Sequence, residues 1–70
     1  MSLTLADYEQ GNIYIEARWD KYLPHFHCLV YIKRGDDIYY TVKDLSYGTK
    51  EEALRSFKRQ VRKAKKGEIQ

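Results

Sequence analysis

Seventy residues allow one small domain, because a chain this short buries only about 60% of its unfolded surface and cannot support two cores. Its 43% hydrophobic and 33% charged residues are the composition of a folded domain, which excludes a wholly disordered chain. The charge is segregated: residues 55–66 hold seven basic residues and no acid, residues 1–54 hold six basic against nine acidic, and Glu68 completes the formal +3. A mildly acidic body with a strongly basic C-terminal segment points to an anionic partner, either nucleic acid or an acidic protein surface.

The single cysteine, Cys28, excludes an intramolecular disulfide and fits a reducing compartment. The opening MSLTLADYEQG lacks the basic and apolar regions of a signal peptide, and no apolar run approaches the roughly 18 residues that span a bilayer. The expectation is a soluble cytoplasmic protein without a membrane partner.

Residues 1–11 form a lead-in segment, read either as a short helix or as a strand, with Leu3, Leu5 and Tyr8 available to close one edge of the core. From residue 12 the chain alternates with period two. In residues 12–19, Ile13, Ile15, Ala17 and Trp19 share one face and Tyr14, Glu16 and Arg18 the other, as a half-buried strand requires. Residues 20–25, containing Pro24, make a turn. Residues 26–33 repeat the alternation, with Phe26, Cys28, Val30 and Ile32 inward and His27, Leu29, Tyr31 and Lys33 outward.

A third strand over residues 37–43 turns Ile38, Tyr40 and Val42 inward and Tyr39, Thr41 and Lys43 outward. Since Ile32 and Ile38 both face the core, the loop between paired residues has odd length, and residues 35–37 satisfy this. The Arg34-Gly35-Asp36 tripeptide is therefore turn chemistry and not an adhesion motif.

After Val42 the period becomes helical. Thr49-Lys50-Glu51-Glu52 has the form of a capping box, so the helix begins there, and Gly67 is its stop. Ala53, Leu54, Phe57, Val61 and Ala64 form an apolar stripe that packs on the strands. The fold class is α+β in the order β-β-β-α: a three-stranded antiparallel meander with one C-terminal helix on one face and residues 67–70 as a frayed tail. The core is expected to comprise Trp19, Phe26, Val30, Ile32, Val42, Leu54, Phe57 and Val61.

Two surfaces could carry function. On the helix, Arg55, Arg59, Arg62 and Lys66 follow i, i+4, i+7, i+11 spacing, flanked by Lys58, Lys63 and Lys65. On the sheet face away from the helix, Tyr14, Arg18, Tyr31, Lys33, Tyr39 and Lys43 interleave aromatic and basic side chains, with Glu16 among them. Rings that pack on bases and cations that meet phosphates suit nucleic acid, and tyrosine and arginine are equally favoured anchors at protein interfaces.

Enzymatic readings are poor. Alternation places His25 and His27 opposite Cys28, so the three cannot close around one metal, and no positioned base shares the face of Cys28. No glycine-rich phosphate loop, serine triad or paired-carboxylate arrangement is visible, and no cofactor or small-molecule substrate is implied.

Strands followed by Thr49-Lys50-Glu51-Glu52-Ala53-Leu54 resemble the N-terminal arm-binding domain of phage and transposon integrases and the related plant GCC-box-binding domain. That resemblance implies a sheet laid into the DNA major groove with the helix behind it, and Arg18, Lys33, Tyr39 and Lys43 as contacts. The same segment is similar to the helix start of HicB-like antitoxins, which bind a toxin protein, although their Pro-Asp-Leu-Pro-Gly loop is absent. In size and character the chain also resembles small phage-encoded inhibitors, anti-CRISPR proteins among them. The expectation is a small binding protein whose partner is nucleic acid, DNA ahead of RNA, with inhibition of a host protein as the alternative.

Overall fold

The computed structural model describes residues 1–69. Its elements are β1 (Ser2–Gln10), β2 (Ile13–Asp20), β3 (Phe26–Arg34), β4 (Ile38–Tyr47) and α1 (Lys50–Lys65). The strands form one antiparallel sheet in the order β1-β2-β3-β4. The expected α+β meander with a C-terminal helix is present, but the sheet has four strands and not three. The lead-in segment is the additional strand.

β1 joins β2 through Gly11 and Asn12, with Gln10 opposite Ile13 and Gly11 at φ +57°, where a side chain would be strained. The β3–β4 connection has the odd length that parity demands, since Arg34 pairs with Ile38 across residues 35–37. β2 and β3 are the central strands, and α1 lies chiefly over them. Ile15, Ala17, Cys28 and Val30 are fully shielded there, and Ile13, Ile32 and Ala64 are also buried. Tyr8, Leu45, Tyr47, Phe57, Val61 and Ile69 pack around this cluster.

Both outer strands contain a bulge. In β1 the pairing steps from Thr4–Arg18 to Ala6–Ala17, leaving Leu5 as the extra residue. In β4 it steps from Tyr31–Thr41 to Val30–Lys43, leaving Val42 extra. A bulge reverses the parity beyond it. Lys43, expected on the outward face, is thus placed on the helix side opposite Val30, and Leu45 and Tyr47 follow it inward. Val42, expected in the core, is 41% exposed. Ile38 and Tyr40 keep their inward parity but are exposed, because α1 sits over the middle of the sheet and not over that end of β4.

Thr49 caps α1 by accepting a hydrogen bond from the Glu52 backbone N–H at 3.2 Å, and its hydroxyl donates to the Glu52 carboxylate at 2.9 Å. At the other end Gly67, at φ +74°, donates to the Ala64 carbonyl (3.0 Å) and Glu68 to the Lys63 carbonyl (2.8 Å), the paired bonds of a Schellman motif. Beyond them Ile69 is half-buried against the core, and Gln70 lies outside the described residues.

The helix face that meets the sheet is rotated from the apolar stripe. Its buried line is Ala53, Ser56, Gln60 and Ala64, while Leu54, Phe57 and Val61 are half-buried beside it. Ala53, Ser56 and Ala64 on that line are small and let the helix approach the strands closely. Ser56 is satisfied by the Tyr47 hydroxyl, which donates to it at 2.8 Å. Gln60 is buried, and its Oε1 has no hydrogen-bond partner among the described residues. An orphaned buried acceptor costs free energy that an apolar group of similar size does not, so Gln60→Leu should stabilise the domain by about 1 kcal/mol. Urea denaturation checks this, and a lower midpoint in the variant would show that the amide makes a bond the fold needs.

Candidate functional site

The open face of the sheet is built from alternate residues of all four strands. β1 contributes Thr4, Asp7 and Glu9, β2 contributes Tyr14, Glu16 and Arg18, β3 contributes His27, Leu29, Tyr31 and Lys33, and β4 contributes Tyr39, Thr41 and Asp44. At its centre Glu16 is only 3% exposed. Its carboxylate accepts from the Thr4 hydroxyl and from Arg18 Nη2 at 2.8 Å, with the Tyr31 hydroxyl at 3.5 Å. Arg18 Nη2 also approaches the Tyr31 hydroxyl at 3.4 Å. A carboxylate this deeply buried needs such partners, because an unpaired charge there would lose its hydration without return.

Around this pair stand Tyr14, Tyr31 and Tyr39. Their ring centroids are 5.7 Å apart for Tyr14–Tyr31, 6.1 Å for Tyr14–Tyr39 and 6.5 Å for Tyr31–Tyr39, with all three rings inclined to one another. Together with Glu16 and Arg18 they line a concavity of about 310 Å³. The Tyr14 hydroxyl donates to Asp7 and the Tyr39 hydroxyl to Glu9, each at 3.2 Å. Partial burial, followed by the negative charge of Glu16 and the contact with Asp7, pushes the Tyr14 phenol up to about 12. Burial is also the main cause that raises Tyr31, with Arg18 opposing it. Both rings are therefore neutral hydrogen-bond donors at physiological pH.

Four of the sheet residues singled out in the sequence, Tyr14, Arg18, Tyr31 and Tyr39, come together in this concavity. Lys33 sits at its margin, with Nζ 5.7 Å from the Tyr39 ring centroid and 3.6 Å from Asp37. Lys43 does not belong to the group, because the β4 bulge carries it to the other side. The face is also more acidic than alternation in residues 12–43 suggests. Asp7 and Glu9 arrive from β1 and Asp44 from the continuation of β4, where His27 Nδ1 meets it at 3.2 Å. The two cations left on the face, Arg18 and Lys33, both have internal anionic partners.

The opposite surface is different. Arg55, Lys58, Arg59, Arg62 and Lys65 of α1 and its C-cap Lys66 are exposed, Lys63 is half-buried, and none forms an ion pair among the described residues. Glu51 and Glu52 occupy the first turn and Arg62, Lys63 and Lys65 the last, which complements the helix dipole. Arg55 and Arg59 border a cleft of about 150 Å³ with Tyr47 and Glu52. Lys43 and Lys63 border another of about 160 Å³, closed by Gln60, Glu68 and Ile69. Lys43 thereby extends the basic helix surface across to β4. Burial raises the Cys28 thiol beneath this layer, partly offset by the nearby Ser56 hydroxyl and by the charges of Lys43 and Arg59. Cys28 is consequently a buried core thiol without nucleophilic character at neutral pH.

Among the described residues no group of three or more histidines, cysteines, aspartates or glutamates is arranged to hold a metal ion. His27 is on the open face while Cys28 is in the core, and His25 stacks on Trp19 at 6.3 Å with its Nδ1 2.9 Å from the Asp20 carbonyl oxygen. No helix of the described chain is long and apolar enough to cross a membrane. The chain matches no protein-family model, no curated protein and no solved structure.

Proposed function

We propose that this chain is a non-enzymatic nucleic-acid-binding protein that engages the phosphates of duplex DNA through the basic surface of α1. The carrying observation is the run of cations from Arg55 to Lys66 with no acid among them and no ion-pair partner among the described residues. Arg55, Arg59, Arg62 and Lys66 supply the exposed row, and Lys58, Lys63, Lys65 and Lys43 widen it. At the helical rise the row from Arg55 to Lys66 is about 17 Å long, enough to follow several successive phosphates.

Charge also selects between the two faces. Laying the open sheet face into the groove, as the integrase-like resemblance implies, would bring Asp7, Glu9, Glu16 and Asp44 towards phosphate against only Arg18 and Lys33. A second reading, an inhibitor that blocks a host protein, draws on the tyrosine-lined concavity, whose size and residue types suit a protein anchor.

Salt-dependent titration against duplex DNA tests the assignment. The logarithm of affinity should fall with the logarithm of salt at a slope of about 0.9 per phosphate neutralised. Arg59→Glu with Arg62→Glu should lower that slope by about two and weaken binding more than about tenfold at low salt. Lys33→Glu with Tyr39→Ala, on the open face, should leave both nearly unchanged. Sensitivity of the open-face pair with indifference of the helix pair would move the interface to the sheet. Absence of binding at low salt would defeat the nucleic-acid reading and leave the protein-blocking one.

A further inference from the structure

We propose that the concavity walled by Tyr14, Tyr31 and Tyr39 is a binding site for a methylated ammonium group, carried either by a trimethylated lysine side chain or by a free quaternary amine. The site is separate from the basic helix, and the proposal does not depend on nucleic-acid binding.

Geometry is the first support. The centroids form a nearly equilateral triangle with sides of 5.7, 6.1 and 6.5 Å. Its centre is about 3.5 Å from each centroid, so a cation seated about 3 Å above that plane lies within about 6 Å of all three centroids, the distance range of cation–π attraction for each ring whose face it meets. The 310 Å³ of the concavity is more than such a headgroup fills, leaving room for the chain that bears it.

Electrostatics is the second. The hydroxyls of Tyr14 and Tyr39 donate to Asp7 and Glu9, which sets two carboxylates next to the rings in addition to the Glu16 carboxylate that lines the concavity. Against them stand Arg18 and Lys33, which are already paired with Glu16 and Asp37. An entering cation is therefore attracted and an entering anion repelled. The protein's own Lys33 ammonium already rests near one ring of the three, at 5.7 Å from the Tyr39 centroid.

The hydrogen-bond inventory decides the kind of cation. Glu16 already accepts from Thr4, Arg18 and Tyr31, so the floor has little acceptor capacity left for the several N–H groups of an incoming ammonium. A primary ammonium would recover only part of its lost hydration there, whereas a quaternary one has no N–H to satisfy and offers methyl groups to the rings.

The test uses the whole chain and follows tyrosine ring resonances by NMR. Choline is titrated against its neutral isostere 3,3-dimethylbutan-1-ol, and a trimethyl-lysine peptide against the same peptide with unmodified lysine. Choline should shift the Tyr14, Tyr31 and Tyr39 resonances saturably, with the isostere at least about tenfold weaker. Tyr39 is 40% exposed, so Tyr39→Leu should keep the fold, checked by its melting curve, while weakening choline about tenfold; Tyr39→Phe should retain it. Arg59→Glu with Arg62→Glu should bind choline as the parent does, which separates this site from the helix. Tighter binding of the methylated peptide than of choline assigns the headgroup to a protein, and the reverse assigns it to a free amine; either supports the site. Unmoved ring resonances with both ligands, or an isostere as good as choline, would overturn it.

Discussion

Arg18→Met is expected to destabilise the domain by about 3 kcal/mol, more than any other single change on the open face. Glu16 is 3% exposed and its closest charged partner is Arg18 at 2.8 Å. Methionine retains much of the arginine stem but leaves a buried carboxylate with only Thr4 and Tyr31 to replace its lost hydration. The Arg18 side chain is 35% exposed, so water entering beside the shorter residue keeps the cost at the lower end of what unpaired buried charges show. The double variant Glu16→Gln with Arg18→Met removes the charge while keeping an acceptor for Thr4, and should recover part of the loss. Denaturant midpoints for both single variants and the double complete the cycle. An Arg18→Met variant as stable as the parent would show that Glu16 does not need Arg18.

Ile15→Ala should cost about 3–4 kcal/mol, because Ile15 has no exposed surface and sits on a central strand beneath the helix. A domain of this length has about 4–10 kcal/mol of stability in all, so the variant should lie close to unfolding at room temperature. Phe57→Ala should cost about half as much, since Phe57 is half-buried at the margin of the helix contact. Thermal melts followed by circular dichroism would rank the two. If Phe57→Ala proved the more damaging, the helix would be seated on the sheet through its large residues and not through Ala53, Ser56, Gln60 and Ala64.

That ranking marks where the sequence was legible and where it was not. β2 and β3 keep the facing that alternation selects, with Ile13, Ile15, Ala17, Cys28, Val30 and Ile32 buried, but Trp19 and Phe26, expected in the core, are paired at the end of the sheet and only half-buried. The Thr49 cap and the Gly67 stop were also readable, because each depends on one local interaction of a few neighbouring residues. β1 was not settled: the Leu5 bulge puts Leu3 and Tyr8 on one face although their separation is odd, and alternation cannot describe such a segment. The Val42 bulge did the same to β4, hiding its last residues and reversing Lys43. Periodicity placed Ala53 and Ala64 in the stripe that meets the sheet but centred it on Leu54, Phe57 and Val61, whereas the polar Ser56 and Gln60 are the residues buried between the alanines.

The site was half legible for the same reason. Parity assembled Tyr14, Arg18, Tyr31 and Tyr39 on one face, and they do line one concavity. Asp7 and Glu9, which set its charge, come from the strand that the pattern left open. Glu16 appeared as one acid among cations, and only the pairing of four strands shows it as the buried hub of the face.

The two bulges have a consequence for how molecules of this protein meet one another. β1 and β4 are the borders of the sheet, and each carries its irregularity within its own length, at Leu5 and at Val42. A border strand offers unpaired amide and carbonyl groups on which a second strand can grow, and growth requires an even spacing of those groups. Each bulge interrupts that spacing. Ile38, Tyr40 and Val42 leave an apolar stretch exposed along β4, yet the regular template beside them ends at Thr41. The irregularities that obscured both outer strands in the sequence are thus a barrier against fibrous self-association at the two places where a small open sheet is most vulnerable to it.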